Sequence, residues 1–164
     1  MTTGAIYPSL KGKTVFITGG AQGIGEAFVQ AFHGQGSKVA FVDLAREAGE
    51  KLKASLKGGD VWFGPVDVTD TKALQQSITD AAAALGPITI LINNAAHDER
   101  HAWEKMTPEY WDDRMAVNLK HQFFTAQAII PMMKKAGGGA IVNMGSTSWK
   151  IGQGGMVAYT SAKS

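Results

Sequence analysis

A chain of 164 residues, 45% apolar and 18% charged, is long enough to bury a core and fits one domain over 1–164. Sixteen Lys and Arg against 14 Asp and Glu, spread along the chain, leave a net charge of +2, too weak and scattered to hold a nucleic-acid backbone. The lack of cysteine excludes disulfides, thiolate nucleophiles and thiolate metal sites, and suits a reducing, cytoplasmic setting. The start MTTGAIYPSLKGK is not a signal peptide, and no stretch approaches the roughly 18 apolar residues of a membrane helix, so no membrane partner is expected.

Segments 14–18 (TVFIT), 38–43 (KVAFVD), 61–67 (VWFGPVD), 88–92 (ITILI) and 140–144 (AIVNM) are short, apolar and rich in β-branched or aromatic residues, as strands buried on both faces should be. Helical stripes alternate with them. The first runs through Ile24, Ala27, Phe28, Ala31 and Phe32, the second through Ala45, Ala48, Leu52 and Leu56, and the third through Leu74, Ile78, Ala81, Ala82 and Leu85. Thr107 and Pro108 signal the N-cap and first turn of a long helix through Trp111, Met115, Leu119 and Phe123 toward Met133, stopped by Gly137 to Gly139. This alternation predicts an α/β fold: a Rossmann-like, doubly wound parallel sheet with helices on both faces. Pro65 cannot donate to a ladder, but in that topology the third strand lies at the sheet edge, where proline is tolerated.

Thr18-Gly19-Gly20-Ala21-Gln22-Gly23-Ile24-Gly25 follows the first strand and opens into the first helix. Small residues there let backbone N–H groups approach a pyrophosphate at the helix N-terminus, and Gly25 lets helix and strand pack closely. A plain tight turn is the competing reading, which the strand-turn-helix context weakens. Asp43, 18 residues beyond Gly25, ends the second strand, where a carboxylate accepts from the adenosine ribose and repels a 2′-phosphate. That favours NAD over NADP, against a surface role for Asp43 and with Arg46 nearby as the counter-argument.

These motifs resemble the short-chain dehydrogenase/reductase family. TGGAQGIG, Asp67-Val68, Asn93-Asn94-Ala95-Ala96, Asn118, Ser146 and Tyr159-Thr-Ser-Ala-Lys163 occur in the family order, from about residue 10 to the last. Ala96 departs from the glycine more common there. Within the family, AIYPSLKGK, HDERH, YWDDR and GGGAIVNMGSTSW are similar to bacterial NAD-dependent sugar 1-dehydrogenases of the D-xylose type.

The resemblance implies reversible hydride transfer between a nicotinamide and a carbinol carbon. It implies Tyr159 as general base, with Lys163 and the cationic nicotinamide favouring the phenolate and Lys163 also reaching the nicotinamide ribose. Positions i and i+4 place Tyr159 and Lys163 on one helix face. Ser146 would donate to the substrate oxygen, and Asn118 would hold a water linking Lys163 to solvent. The implied cofactor set is Gly19, Gln22, Gly23, Ile24, Gly25, Asp43, Asp67, Val68, Asn93, Ala95, Tyr159 and Lys163. Asp67 and Val68 would hold the adenine amine, with a helix-cap role beside Asp70 as the alternative for Asp67.

His97, Asp98, Glu99, Arg100 and His101 form a polar loop at the carboxyl edge of the sheet, suited to sugar hydroxyls or equally to solvent. His97, Arg100, Ser146, Trp149, Gln153 and Tyr159 form the candidate substrate set, although Trp149 also suits a packing role. No metal site is expected, because nothing completes a ligand set around His97 and His101. His33 and His121 read as structural or exposed.

The leading function is NAD-dependent oxidation of a sugar hydroxyl, aldose C1 to lactone. The alternatives are a carbonyl reductase acting on a ketoacyl or other ketone, and a nucleotide-binding protein without turnover. The family implies a homotetramer. Against family length the chain stops within the catalytic helix, one residue past Lys163. The 164 residues alone are therefore expected to leave the fifth strand an unprotected edge, bind cofactor poorly, aggregate and not turn over.

Overall fold

A computed structural model describes residues 4–164. Five strands, β1 Thr14–Thr18, β2 Lys38–Asp43, β3 Val61–Pro65, β4 Ile88–Asn93 and β5 Ala140–Asn143, form one parallel sheet in the order β3-β2-β1-β4-β5. Helices α1 Gly23–Gly34, α2 Arg46–Ser55, α3 Thr71–Leu85, α4 Pro108–Met115, α5 His121–Lys135 and α6 Val157–Ala162 connect and follow them. Pro65 lies at the end of edge strand β3, as expected from its missing donor.

Alternation along the strands separates two cores. Val15, Ile17, Val39 and Phe41 face α1 and α2 with Val29, Leu52 and Phe63. Phe16, Ala40 and Val42 face the opposite side, where Leu74, Ile78 and Ala81 of α3 and Ile129 and Met133 of α5 cover them. Phe16 and Phe41 are fully buried, each stabilising by about 1.5–3 kcal/mol. This is the doubly wound fold that the alternation of segments predicts.

Two local expectations need correction. In α1 the stripe is rotated: Ile24, Ala27 and Ala31 are exposed, while Val29 and Gly25 are buried and Phe28 and Phe32 pack partly inward. The fourth helix is interrupted by a π-helical stretch, Ala116–Lys120. One residue is added to a turn there, so the faces on either side lose register. Trp111, Leu119 and Phe123 lie on the surface, 36%, 48% and 65% exposed, while Asn118, His121, Gln122 and Thr125 turn inward. Strand β5 is exposed along its length, an edge that nothing among the described residues covers, as expected of the 164 residues. No helix among the described residues is long and apolar enough to cross a membrane.

Candidate active site

The order β3-β2-β1-β4-β5 reverses direction between β1 and β4, and the crevice at their carboxyl ends is the place such sheets bind ligands. A cleft of about 310 Å3 opens there, lined by Gly19, Gln22, Ile24, Gly25, Asp43 and Val68 among others, with Ala95 and Ala96 on the β4 side. Leu44, Val66 and Val117 also line it and escape sequence reasoning, because single apolar residues after a strand carry no motif.

The glycines act through close approach. Gly19 has φ +66°, and a Cβ there would come within 2.8 Å of Ala95 Cα. At Gly25 a Cβ would collide with the Gly19 carbonyl oxygen and come within 2.8 Å of Asn94 Nδ2. No side chain caps α1 at Gln22, so its first N–H groups remain for a ligand. Gly23 begins the helix but does not line the cleft.

Asp43 is half-buried and spends both oxygens on backbone: Oδ2 accepts from Ala21 N and Oδ1 from Ala45 N, each at 2.9 Å. It therefore pins the glycine turn to the end of β2 while still facing the cleft. Spare lone pairs on both oxygens remain for ribose hydroxyls. These residues fit a dinucleotide. Asp67 is exposed, with Oδ1 accepting from Thr69 N and Oγ1 at 2.8 and 2.7 Å, and Asp70 alone caps α3.

Asn93 departs from its expected place. It is fully buried beneath the cleft, where Oδ1 accepts from Thr125 Oγ1 at 2.7 Å and Nδ2 donates to Asn143 Oδ1 at 2.8 Å. It supports the floor instead of lining it. Asn94, not Asn93, ties the two sides together, with Nδ2 donating to the Thr18 and Gly19 carbonyls at 3.1 and 2.9 Å.

Tyr159 and Lys163 lie one turn apart, with Lys163 N donating to Tyr159 O at 3.0 Å. The Lys163 side chain is buried, and its ammonium donates to the Met144 carbonyl at 2.9 Å. Burial lowers its pKa from 10.5 to about 8. Ser146 N approaches the Lys163 carbonyl at 3.4 Å, and Ser146 Oγ donates to Ser148 Oγ at 2.8 Å and accepts from Ser148 N at 3.1 Å. Buried Ser148, which carries no sequence signal beyond a hydroxyl-rich loop, thus sets the orientation of Ser146. A recess of about 710 Å3 includes Ser146, Trp149, Lys163 and Gln122 in its lining.

The Asn118 amide is committed elsewhere. Oδ1 accepts from His97 N at 2.9 Å, and Nδ2 donates to the His97 and Arg114 carbonyls, each at 3.0 Å. Asn118 thereby binds the loop after β4 to the π stretch, with one Oδ1 lone pair left for a further partner. The His97 ring is exposed. Arg100 reaches Gly154 O at 3.3 Å, and the Gln153 amide oxygen, turned toward it, accepts from Nη1 and Nη2 at 3.2 and 2.9 Å. Arg100 and Gln153 thus join the two loops around the candidate substrate region. No group of three or more His, Cys, Asp or Glu side chains among the described residues is placed to hold a metal ion.

Comparisons agree with this arrangement. Residues 13–164 match the short chain dehydrogenase family. A D-xylose 1-dehydrogenase from Caulobacter vibrioides is 45% identical over 159 residues, covering 97% of this chain and 63% of the relative. A probable galactose dehydrogenase from Rhizobium meliloti is 42% identical over 161 residues, covering 96% and 62%. A solved short-chain dehydrogenase/reductase mutant from Serratia marcescens superposes with a TM-score of 0.88 at 32% identity, covering 96% of this chain and 64% of that one. The chain thus spans somewhat less than two thirds of the relatives it matches. With the family match over residues 13–164 and the fold in agreement, the chain belongs to the short-chain dehydrogenase/reductase family.

Proposed function

We propose that the chain supplies the cofactor cleft and catalytic residues of an NAD-dependent sugar dehydrogenase that oxidises aldose C1 to the lactone. The observation that carries the chemistry is buried Lys163, one turn from Tyr159, with its carbonyl beside Ser146 N and its ammonium on the Met144 carbonyl. Ser146 turns its hydroxyl proton from Ser148 Oγ to the sugar oxygen, and Tyr159 Oη takes the hydroxyl proton as the C1 hydrogen leaves as hydride and the C=O bond forms. Lys163 lowers the cost of charge on the phenol oxygen. A bound nicotinamide supplies the hydride acceptor. The xylose and galactose dehydrogenases among the relatives, and a D-threitol dehydrogenase from Mycolicibacterium smegmatis at 38% identity, favour a polyhydroxylated substrate over a hydrophobic ketone. Exposed Trp111, Leu119 and Phe123 on α4, the π stretch and α5 support a homotetramer built through these helices.

The test is absorbance at 340 nm with NAD and a panel of pentoses, hexoses and ketones, in the protein that carries this chain. Sugar-dependent reduction that falls at least about 10²-fold in Tyr159→Phe is expected. Activity confined to ketones would favour the carbonyl-reductase alternative, and binding without any turnover the non-catalytic one.

The NAD preference rests on Asp43. Asp43→Asn loses a charge-assisted acceptor and should weaken NAD binding by about 10–100-fold relative to NADP. Because Asp43 also holds Ala21 and Ala45, both affinities will fall somewhat, so the deciding quantity is their ratio in fluorescence titrations. An unchanged ratio would remove the basis for choosing NAD.

A further inference from the structure

His121 opens α5 immediately after the π stretch and is 1% exposed, lining neither the cleft nor the recess. Its Nε2 lies 3.4 Å from Thr18 Oγ1. That oxygen already accepts two backbone bonds, from Asn94 N and Ala95 N, both at 3.0 Å. With its acceptor sites occupied, the Thr18 hydroxyl has only its proton left to share, and Nε2 is the acceptor placed to receive it. The imidazole must therefore be neutral, with its own proton on Nδ1. Nδ1 is buried without a well-formed bond, with only weak support from the Val117 carbonyl in the π stretch. Burial and the nearby Lys163 ammonium both oppose protonation and hold His121 near pKa 4.

We propose that His121 is a positioning residue of the cofactor cleft, accepting the Thr18 hydroxyl proton and so fixing the Asn94–Ala95 wall against the glycine turn. A hydroxyl that turned away would offer its hydrogen, not a lone pair, to one of the two amides. Ala95 would then be free to move, although Gly19 tolerates no closer approach. The cofactor half of this inference rests on the function proposed above; the structural half does not.

Two substitutions separate hydrogen bonding from space filling. In His121→Gln the amide oxygen reaches about as far as Nε2 and can accept from Thr18. In His121→Asn it stops about one bond short. Hydrogen exchange without cofactor should show residues 94–95 protected within about twofold of the parent in the Gln variant, and exchanging about tenfold faster in the Asn variant. NAD affinity should follow the same order, retained in Gln and weakened about tenfold in Asn. In a Thr18→Val background, which has no hydroxyl to share, the two His121 variants should no longer differ. Equal exchange in the Gln and Asn variants, or a difference that persists in the Thr18→Val background, would overturn the assignment. If the parent binds neither NAD nor NADP, the functional reading fails while the exchange experiment still decides the role of His121.

Discussion

Gly25→Ala should cost about 3 kcal/mol of stability and abolish measurable dinucleotide binding. One added methyl would collide with the Gly19 carbonyl oxygen, a backbone atom that cannot rotate aside, and approach Asn94 Nδ2 within 2.8 Å. Relief requires α1 to move away from β1, opening the gap that Gly25 exists to close and displacing the Asn94 bonds to Thr18 and Gly19. The control is Gly34→Ala at the far end of the same helix, where a Cβ meets nothing within 4 Å. That variant gains helix propensity and should be neutral or slightly more stable. Urea unfolding and cofactor titration of both variants make the comparison. Parent-like stability in Gly25→Ala would show that helix and strand are not in fixed contact at the turn.

The sheet is legible in the sequence because β1, β2 and β4 are covered on both sides, and continuous apolar runs need no decision about which face is inside. The stripes of α2 and α3 are equally readable, since their large apolar residues Leu52, Leu74, Ile78 and Leu85 are the ones buried. In α1 the signal misleads: Ala27 and Ala31 score as apolar yet lose little when exposed, so the periodicity points to the wrong side. The α4–α5 segment fails for a different reason. Its inner face beyond the π stretch meets the polar group around Asn93, so Gln122 and Thr125 are buried while Phe123 is not. Hydrophobic periodicity assumes an apolar interior, which this part of the molecule does not have.

Within the site, residues that act through absence or charge are visible in the sequence and those that act through support are not. Gly19, Gly25 and Asp43 belong to a spaced motif whose chemistry follows from residue type. Thr18, Asn94 and His121 hold that motif in place by bonds between segments up to 103 positions apart, which no local pattern encodes. Asn93 and Asn118 show the converse. Their positions in the motifs suggest ligand contacts, but their amides also bond to neighbouring chain.

Lys163→Met should make the protein more stable at neutral pH while reducing turnover by about 10²- to 10⁴-fold. The buried ammonium has one carbonyl partner, Met144 O, and burial lowers its pKa from 10.5 to about 8, equivalent to about 3 kcal/mol. The sign follows from proton counting. Between pH 8 and 10.5 the unfolded chain holds the Lys163 proton and the folded chain releases it, so stability rises with pH across that window and is lowest below it. Methionine has a similar length and no charge to desolvate. It gives up the bond to Met144, at about 1 kcal/mol, and leaves a net gain of about 2 kcal/mol at pH 7. At about 2–4 °C per kcal/mol this is an upward Tm shift of several degrees, and it should reverse above pH 10.5, where the parent lysine is neutral in both states and only the lost Met144 bond, about 1 kcal/mol against the variant, remains. Thermal unfolding of parent and variant at pH 7, 9 and 11 isolates the effect, since other titrating groups are common to both. Equal stabilities at pH 7 would mean that the ammonium is fully compensated in place. In that case Lys163 would not carry the strained charge on which the assistance to Tyr159 proposed above depends.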